Sequence, residues 1–197
     1  MADNLFSMWQ RTRHAVLKPR WGHVLRVVLV LGTMVVWLKL VGRSYICPCG
    51  VVVFWQGELD PAQNSQQFAD WYSLLHVMYG FGLFIFANVM RPHWSLGAKA
   101  LMALVSSAIW EMVENTPFIV ALFKHSPHAP TYWGDSILNS LGDTLFVMIG
   151  FGLAARLPLW AIAALAVALE LAVSFAINDG MVLATLRLFG IPASLQT

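Results

Sequence analysis

The chain has 197 residues, of which 58% are hydrophobic and only 11% are charged. A soluble globular domain carries about 25% charged residues, so this composition excludes an ordinary water-soluble protein and indicates one that lies in a bilayer. The formal net charge of +2 is too small to indicate a nucleic-acid partner.

Five apolar stretches follow one another along the chain, each close to the ~20 residues that a membrane-spanning helix needs. We predict spans at residues 24–41, 71–89, 96–115, 135–154 and 159–177. Pro117 is expected to end or kink the third span, Asp135 to cap the start of the fourth, and Asn178-Asp179-Gly180 to stop the fifth. Residues 1–23 form a basic tail, and residues 24–197 form a single transmembrane helical domain. The last apolar stretch, residues 181–191, is too short to span, so we expect an interfacial or re-entrant helix there. The predicted fold is an all-α, polytopic membrane helix bundle.

The positions of lysine and arginine predict how the bundle is oriented. With a cytoplasmic N-terminus, eight of the twelve basic residues belong to the inner side and four to the outer side. Cytoplasmic segments of membrane proteins carry an excess of lysine and arginine. We therefore expect a multi-pass protein whose N-terminus is cytoplasmic.

Acidic and amide side chains interrupt the apolar stretches, where an ionised residue costs about 2.5–3.5 kcal/mol at the centre of a membrane helix. A partner, a bound ion or a polar substrate must offset that cost. The expected orientation places these polar residues of four spans in the outer leaflet: His76, Glu111, Glu114, Asn115, Asp135, Asn139, Glu170, Asn178 and Asp179. Asp143 shares a helix face with Asp135 and Asn139. Helical spacing puts Glu111 and Glu114 on one helix face. We therefore predict an acidic site near the periplasmic leaflet.

Residues of this group have side chains suited to general acid–base chemistry. The candidate catalytic residues are His76, Glu111, Glu114, Asp135 and Asn139. Glu111 or Glu114 would act as general base or as metal ligand, with His76 as the acid–base partner. Asp135 and Asp143 would be ligands, and Asn139 would orient the substrate. The spacing favours neither glutamate over the other.

Crowded carboxylates cannot all stay ionised in a medium of low dielectric constant, so some are protonated or a cation lies among them. Carboxylate oxygens with one or two imidazoles suit Mg²⁺, Mn²⁺, Ca²⁺ or Zn²⁺. The candidate metal ligands are Asp143, His125 and His128. His125 and His128 also fit the simpler interpretation of ordinary loop residues. Glu170, as a single acid within a span, fits a hydrogen-bonded packing role equally well.

Cys47 and Cys49 lie just after the first span, separated by Pro48. Three arrangements are compatible with this spacing: a disulfide in an oxidising compartment, a pair of free thiols, or a turn without chemistry. We do not predict a zinc site at these two cysteines, because the chain has no second cysteine pair.

Two resemblances extend this reading. His76-x-x-Tyr79, then Glu111 or Glu114, then Asp135-x-x-x-Asn139-x-x-Gly142 resembles the pattern of VanZ-like membrane proteins, the teicoplanin-resistance family. That family usually carries an arginine between the glutamate and the aspartate, where this chain has Lys124, His125 and His128.

The second resemblance covers about residues 42–180. The order CxCG, Ser65-Gln66, Asp70-Trp71-Tyr72, His76, Glu111-x-x-Glu114-Asn115, Tyr132-x-Gly134-Asp135-Ser136-x-x-Asn139-Ser140 and Gly150-Phe151 is similar to an uncharacterised alphaproteobacterial family of small polytopic membrane proteins. The resemblance implies an inner-membrane protein of a Gram-negative cell and brings no known activity.

Two functions remain open from the sequence, and it does not decide whether the protein is an enzyme. The first is an enzyme that hydrolyses or transfers a group on a lipid or lipid-linked envelope substrate. The second is a non-enzymatic assembly or binding factor of a larger membrane complex, with the polar cluster as interhelical glue. A transporter is disfavoured because the chain has neither an inverted repeat nor a pair of broken helices. Membrane lipids are the expected partners in either case.

Overall fold

The computed structural model describes residues 21–124 and 132–189. Within those ranges the chain is helical and has no strand; its seven helices are α1 (Trp21–Leu40), α2 (Ser73–Met90), α3 (Leu96–Glu114), α4 (Pro117–Lys124), α5 (Ile137–Ala154), α6 (Leu159–Ile177) and α7 (Met181–Leu188). Five of them, α1, α2, α3, α5 and α6, are long and apolar enough to cross a membrane. The predicted all-α bundle with five spans is confirmed.

The helix ends follow local signals in the sequence. Pro117 starts the separate helix α4, because proline fits the first turn of a helix but not its interior. Asn178 ends α6 in the left-handed conformation, as expected of an Asn-Asp-Gly stop signal. The prediction that Asp135 caps α5 is wrong: the Ser136 hydroxyl accepts from the N–H of Asn139, while the Asp135 carboxylate binds elsewhere.

Two predicted features fall partly or wholly outside the described residues. The basic tail was predicted to end at residue 23, but α1 already begins at Trp21, and residues 1–20 are not described. His125 and His128, predicted as metal ligands, also lie outside the described residues.

The core forms where α2 and α5 cross at close range. Gly80 of α2 faces Gly150 of α5, and a methyl group built on either glycine would overlap the backbone of the opposite helix. Phe84 and Phe151 pack edge to face beside them, with ring centroids 5.3 Å apart. By contrast, α1 and α6 leave most of their apolar side chains exposed, as spans that face lipid do.

The polar segment, residues 41–72, folds over the end of the bundle where α5 begins. The N–H groups of Ile137 and Leu138 donate to the carbonyls of Ser44 and Tyr45, at 2.9 and 3.0 Å. The first N–H groups of a helix lack partners within the helix, so these bonds fix the segment on the start of α5. Cys47 and Cys49 within it form a disulfide.

Candidate acidic site

A cavity of ≈ 280 Å³ opens at one end of the bundle, which we call the acidic end: the side where α2 and α5 begin and α3 stops. Its walls come from α2, α3, α4, α5 and α7, from the loops before α2 and α5, and from the junction between α6 and α7. The titratable residues on its walls are Tyr72, His76, Tyr79, Glu114, Tyr132, Asp135, Asp143, Asp179 and Arg187. Acids from separate spans therefore meet at a common depth.

The imidazole of His76 lies between two carboxylates. Its Nδ1 is 3.7 Å from Oε1 of Glu111, and its Nε2 is 3.6 Å from Oδ2 of Asp143. Both distances are longer than a hydrogen bond. Only 11% of the His76 side chain is exposed, so the ring is held between α3 and α5 with little contact to solvent.

Glu111 is fully buried, and neither of its carboxylate oxygens makes a hydrogen bond of ordinary geometry in the described part of the chain. The Ser140 hydroxyl makes none either, but it lies near enough to the Glu111 carboxylate to act as a donor to it. Glu114 lies one turn further along α3 and reaches the cavity wall. One ligand atom each from His76, Glu111 and Glu114 lie within 4.8 Å of one another, so these three side chains can share a metal ion.

Asp143 is oriented by the start of α2. The hydroxyl of Ser73 donates to Oδ1 of Asp143 at 2.5 Å, and it accepts from the N–H of Asp70 at 3.1 Å. The Asp70 carboxylate in turn accepts from the backbone N–H groups of Ser65 and Tyr72. Burial raises the pKa of Asp70 despite these bonds. This chain of hydrogen bonds holds Asp143 toward His76.

Asp135 is tied to the end of α3 by Asn115. The Asn115 amide donates to Oδ2 of Asp135 at 2.7 Å, and the N–H of Asp135 donates back to the amide oxygen at 2.8 Å. The Tyr132 hydroxyl donates to the other carboxylate oxygen at 2.9 Å. Burial raises the pKa of Asp135 to about 6, although the bonds from Asn115 and Tyr132 oppose the shift. Burial, followed by the charge of Asp135, raises the pKa of Tyr132.

Asn139 does not line the cavity. Its side-chain amide donates to the carbonyl oxygen of Gln67 at 2.9 Å, and both residues are buried. Gln67 itself accepts from the N–H of Val53 and donates to the carbonyl of Val51. Asn139 therefore joins α5 to the polar segment behind the site.

The acids at the end of α6 form a second cluster, next to α7. Glu170 accepts from the N–H groups of Met181 and Val182, so its carboxylate caps the start of α7. Asp179 accepts from Arg187 at 2.7 Å and from the Tyr72 hydroxyl at 3.2 Å. Asp179 is buried and Glu170 is partly buried, and both carboxylates have hydrogen-bond partners.

Several residues of the acidic end were not singled out as site residues from the sequence. Ser73 and Tyr132 are uncharged and carry no spacing signal. Arg43 reaches the loop before α5 from a point 90 residues earlier, where its guanidinium donates to the carbonyl of Trp133. Asp179 and Arg187 are separated by the break at Gly180, so helical periodicity could not pair them. For the start of α2, the sequence signal was the Asp70-Trp71-Tyr72 motif of the second resemblance.

We expect the ionisation of Asp135 to destabilise the fold as the pH rises. Because its folded pKa of about 6 exceeds the ordinary 3.8, the folded chain keeps a proton that the unfolded chain releases. The free energy of unfolding should fall between about pH 4 and pH 6, by at most about 3 kcal/mol, and then level off. Thermal unfolding in detergent across this range, compared with Asp135→Asn, isolates the contribution. A wild-type profile parallel to that of the variant would contradict it.

Comparison with known proteins places the chain in a family. Residues 38–194 match the family model described as "Protein of unknown function (DUF2585)". The chain is 37% identical over 170 residues to a UPF0314 protein of Paracoccus denitrificans, covering 86% of each. It is 39% identical over 176 residues to one of Sphingopyxis alaskensis, covering 88% of this chain and 90% of the relative. Among solved structures, none matches. This chain therefore belongs to the DUF2585 family of alphaproteobacterial membrane proteins, whose relatives are named UPF0314.

Proposed function

We propose that this protein is an inner-membrane enzyme that hydrolyses or transfers a group on a lipid or lipid-linked envelope substrate. The observation that carries the proposal is the cavity at the acidic end. His76, Glu114, Asp135 and Asp143 line it together with apolar side chains such as Leu75. A pocket with apolar walls and a few convergent titratable groups is the usual form of a small-molecule site. An amphiphilic substrate could place its polar headgroup against the titratable side chains and its apolar part against the apolar ones.

The two glutamates take different roles in this proposal. Glu114 lines the cavity, whereas Glu111 lies behind it without exposed surface. We therefore assign Glu114 to contact the substrate and to accept a proton from the attacking water or hydroxyl, with His76 as the group that returns a proton to the leaving group. Glu111 supports the imidazole from behind, and Asn139 positions the polar segment rather than the substrate.

Asp135 belongs to the cavity wall but is already held by Asn115 and Tyr132. A carboxyl with a pKa of about 6 exchanges protons readily near neutral pH, which suits a proton relay. Arg43 lies close enough to Asp135 to oppose the upward shift of its pKa. In the VanZ-like pattern an arginine accompanies the aspartate, and we propose that Arg43 takes that place here.

The cellular placement is part of the same proposal. Eight of the twelve basic residues fall on the side opposite the acidic end or in the N-terminal tail, which favours a cytoplasmic N-terminus. The acidic end then faces the periplasm, where lipid-linked envelope precursors present their headgroups. The resemblance to VanZ-like proteins supports an envelope substrate.

The alternative is an assembly or binding factor of a larger membrane complex, whose polar cluster serves as interhelical glue. The bonds from Asn115 to Asp135 and from Asn139 to Gln67 favour it, because they close gaps between elements. It does not explain why Glu111 is buried without a hydrogen bond of ordinary geometry in the described part of the chain. A polar cluster that only joins helices needs hydrogen-bonded side chains and does not need a cavity.

Substitution of Glu114 by glutamine and of Asp135 by asparagine separates the two functions. A deletion strain is complemented with each variant, and protein abundance is measured beside the lipid extract by mass spectrometry. We expect normal abundance and an extract like that of the deletion strain, with at least a 100-fold loss of turnover. Glu58→Gln, an exposed change in the polar segment, is the matched control. Reduced abundance of both variants would favour the alternative, in which these side chains hold the helices together.

A further inference from the structure

We propose that His76, Glu111 and Glu114 bind one divalent cation of the Zn²⁺ or Mn²⁺ class at the inner wall of the cavity. The proposal rests on the proposed function and names the cofactor of the same site. With the ion bound, His76 and Glu114 are its ligands, so the proton transfers assigned to them pass to Asp135, which also lines the cavity. It stands on the geometry of three side chains from two helices and is tested by binding, independently of turnover.

The donor atoms are close enough to converge on one ion. One atom from each of the three residues lies within 4.8 Å of the others, and Nδ1 of His76 is 3.7 Å from Oε1 of Glu111. Donors about 2.1 Å from a shared tetrahedral ion lie roughly 3.4 Å apart. Small rotations of two glutamate side chains are enough to close this difference.

A second, independent observation that supports the cation site is the set of buried polar atoms of Glu111 and His76 that face one another. Both oxygens of Glu111 and Nδ1 of His76 are buried, and none of them makes a hydrogen bond of ordinary geometry within residues 21–124 and 132–189. A buried carboxylate without well-formed hydrogen bonds carries most of the cost of its own desolvation. If Nδ1 is unprotonated, its lone pair also faces the carboxylate oxygen, and the two repel each other. A cation between them removes both penalties.

The other side of the imidazole has the form of a metal-binding histidine. Nε2 of His76 faces Oδ2 of Asp143 at 3.6 Å, and Ser73 fixes that carboxylate through Oδ1. Metal-bound histidines commonly turn their second ring nitrogen toward a carboxylate, which sets the tautomer and makes the ligating nitrogen more basic. Asp143 therefore takes an outer role and leaves Nδ1 as the ligand.

The donor set narrows the class of ion. One imidazole with two carboxylates is typical of Zn²⁺ and Mn²⁺, while Ca²⁺ and Mg²⁺ prefer sites built from oxygen alone. Three protein ligands leave a coordination position free, as catalytic zinc sites do. Because Glu114 also lines the cavity, a ligand there can reach that position.

A doubly protonated His76 between the ionised carboxylates of Glu111 and Asp143 is the competing arrangement. Both ring nitrogens would then carry protons, so His76 would not bind a metal. The two arrangements differ in their response to Glu111→Gln: the ion pair loses a charge partner in any buffer, whereas the cation site loses only its metal.

The test uses the full-length protein, purified in nanodiscs of phosphatidylethanolamine and phosphatidylglycerol and stripped with EDTA. Co²⁺ is titrated as the probe, because its visible absorption reports nitrogen and oxygen ligands, and bound metal is counted by mass spectrometry. We expect one equivalent per chain and a higher thermal midpoint on binding. Glu111→Gln and Glu114→Gln should each weaken binding at least 10-fold. Glu170→Gln, a change in the same half of the bundle, should not.

The competing outcomes are distinct. A helical, folded wild-type protein that binds no Co²⁺, or binds it equally well in both glutamine variants, overturns the cation site. Lipid turnover by the metal-free protein would also overturn it and would leave the proposed enzyme intact. Metal binding lost in both variants, with no altered lipid in the deletion strain, supports the cation site and argues against the enzyme.

Discussion

Replacing Gly80 or Gly150 with alanine is expected to destabilise the bundle by about 3 kcal/mol or more. A methyl group on Gly80 would overlap the carbonyl oxygen of Val147, and one on Gly150 would overlap the carbonyl oxygen of Val77. Both obstacles are backbone atoms in helix interiors, so no side chain can rotate away. The two helices must move apart along the α2–α5 contact, which opens the core around Phe84. Thermal unfolding and protein abundance in membranes measure the effect.

Gly82 is the matched control, since it lies in α2 and an added methyl group would meet no atom within 4 Å. Alanine is favoured over glycine within a helix by about 0.5–1 kcal/mol, so Gly82→Ala should leave the midpoint unchanged or raise it. Equal losses at Gly80 and Gly82 would show that the close approach of α2 and α5 does not limit stability.

The five spans were predictable because each one is a nearly unbroken apolar stretch of sufficient length. The predicted ends of the last span, residues 159–177, agree with α6, and the start of α1 differs by three residues. The break at Pro117 was also visible, because proline starts a helix more readily than it continues one. Span bounds and helix breaks depend on residues that are close together in the sequence, so the sequence alone can predict them.

The contacts within the acidic end could be predicted only in part. A shared orientation of the spans predicts that acids meet at one depth, but it does not predict which atom faces which. The Asp135 carboxylate was expected to cap its own helix, and it binds Asn115 instead. Arg43 approaches across 90 residues of sequence, and the rotation of each span about its axis sets such contacts. No pattern in a single sequence carries that information.

The acids of the bundle fall into two groups that differ in their hydrogen bonds. Glu170, which is partly buried, and Asp179, which is buried, each accept two or more hydrogen bonds, so the loss of solvent costs them little. Glu111 accepts no hydrogen bond of ordinary geometry from the described residues, although it is fully buried. The hydrogen bonds of Glu170 and Asp179 indicate a structural role. Glu111 lacks such bonds, and natural proteins keep an unfavourable buried group mainly at functional sites, so we infer a functional role for it.

Asn115→Ala is expected to cost about 3 kcal/mol or more, a larger loss than Asp135→Asn. The Asn115 amide makes three hydrogen bonds: it donates to the carbonyl of Glu111 and to Asp135, and it accepts from the N–H of Asp135. Alanine leaves a buried carboxylate and a buried N–H without their partner, and it frees the loop that carries Tyr132. Asp135→Asn keeps a side chain of the same shape that can still pair with the amide.

The order of these two variants separates positioning from chemistry at Asp135. If Asp135 acts in turnover, Asp135→Asn should fold normally and lose function, while Asn115→Ala should lose abundance and function together. Thr116→Ala is the neighbouring control, because it removes one exposed hydrogen bond to the carbonyl of Val113 and should cost well under about 1 kcal/mol. Unfolding in detergent, measured for all three variants, gives the ranking. If the Asp135→Asn protein were less stable than the Asn115→Ala protein, the negative charge of Asp135 would itself hold the loop before α5. That result would favour a structural role for Asp135.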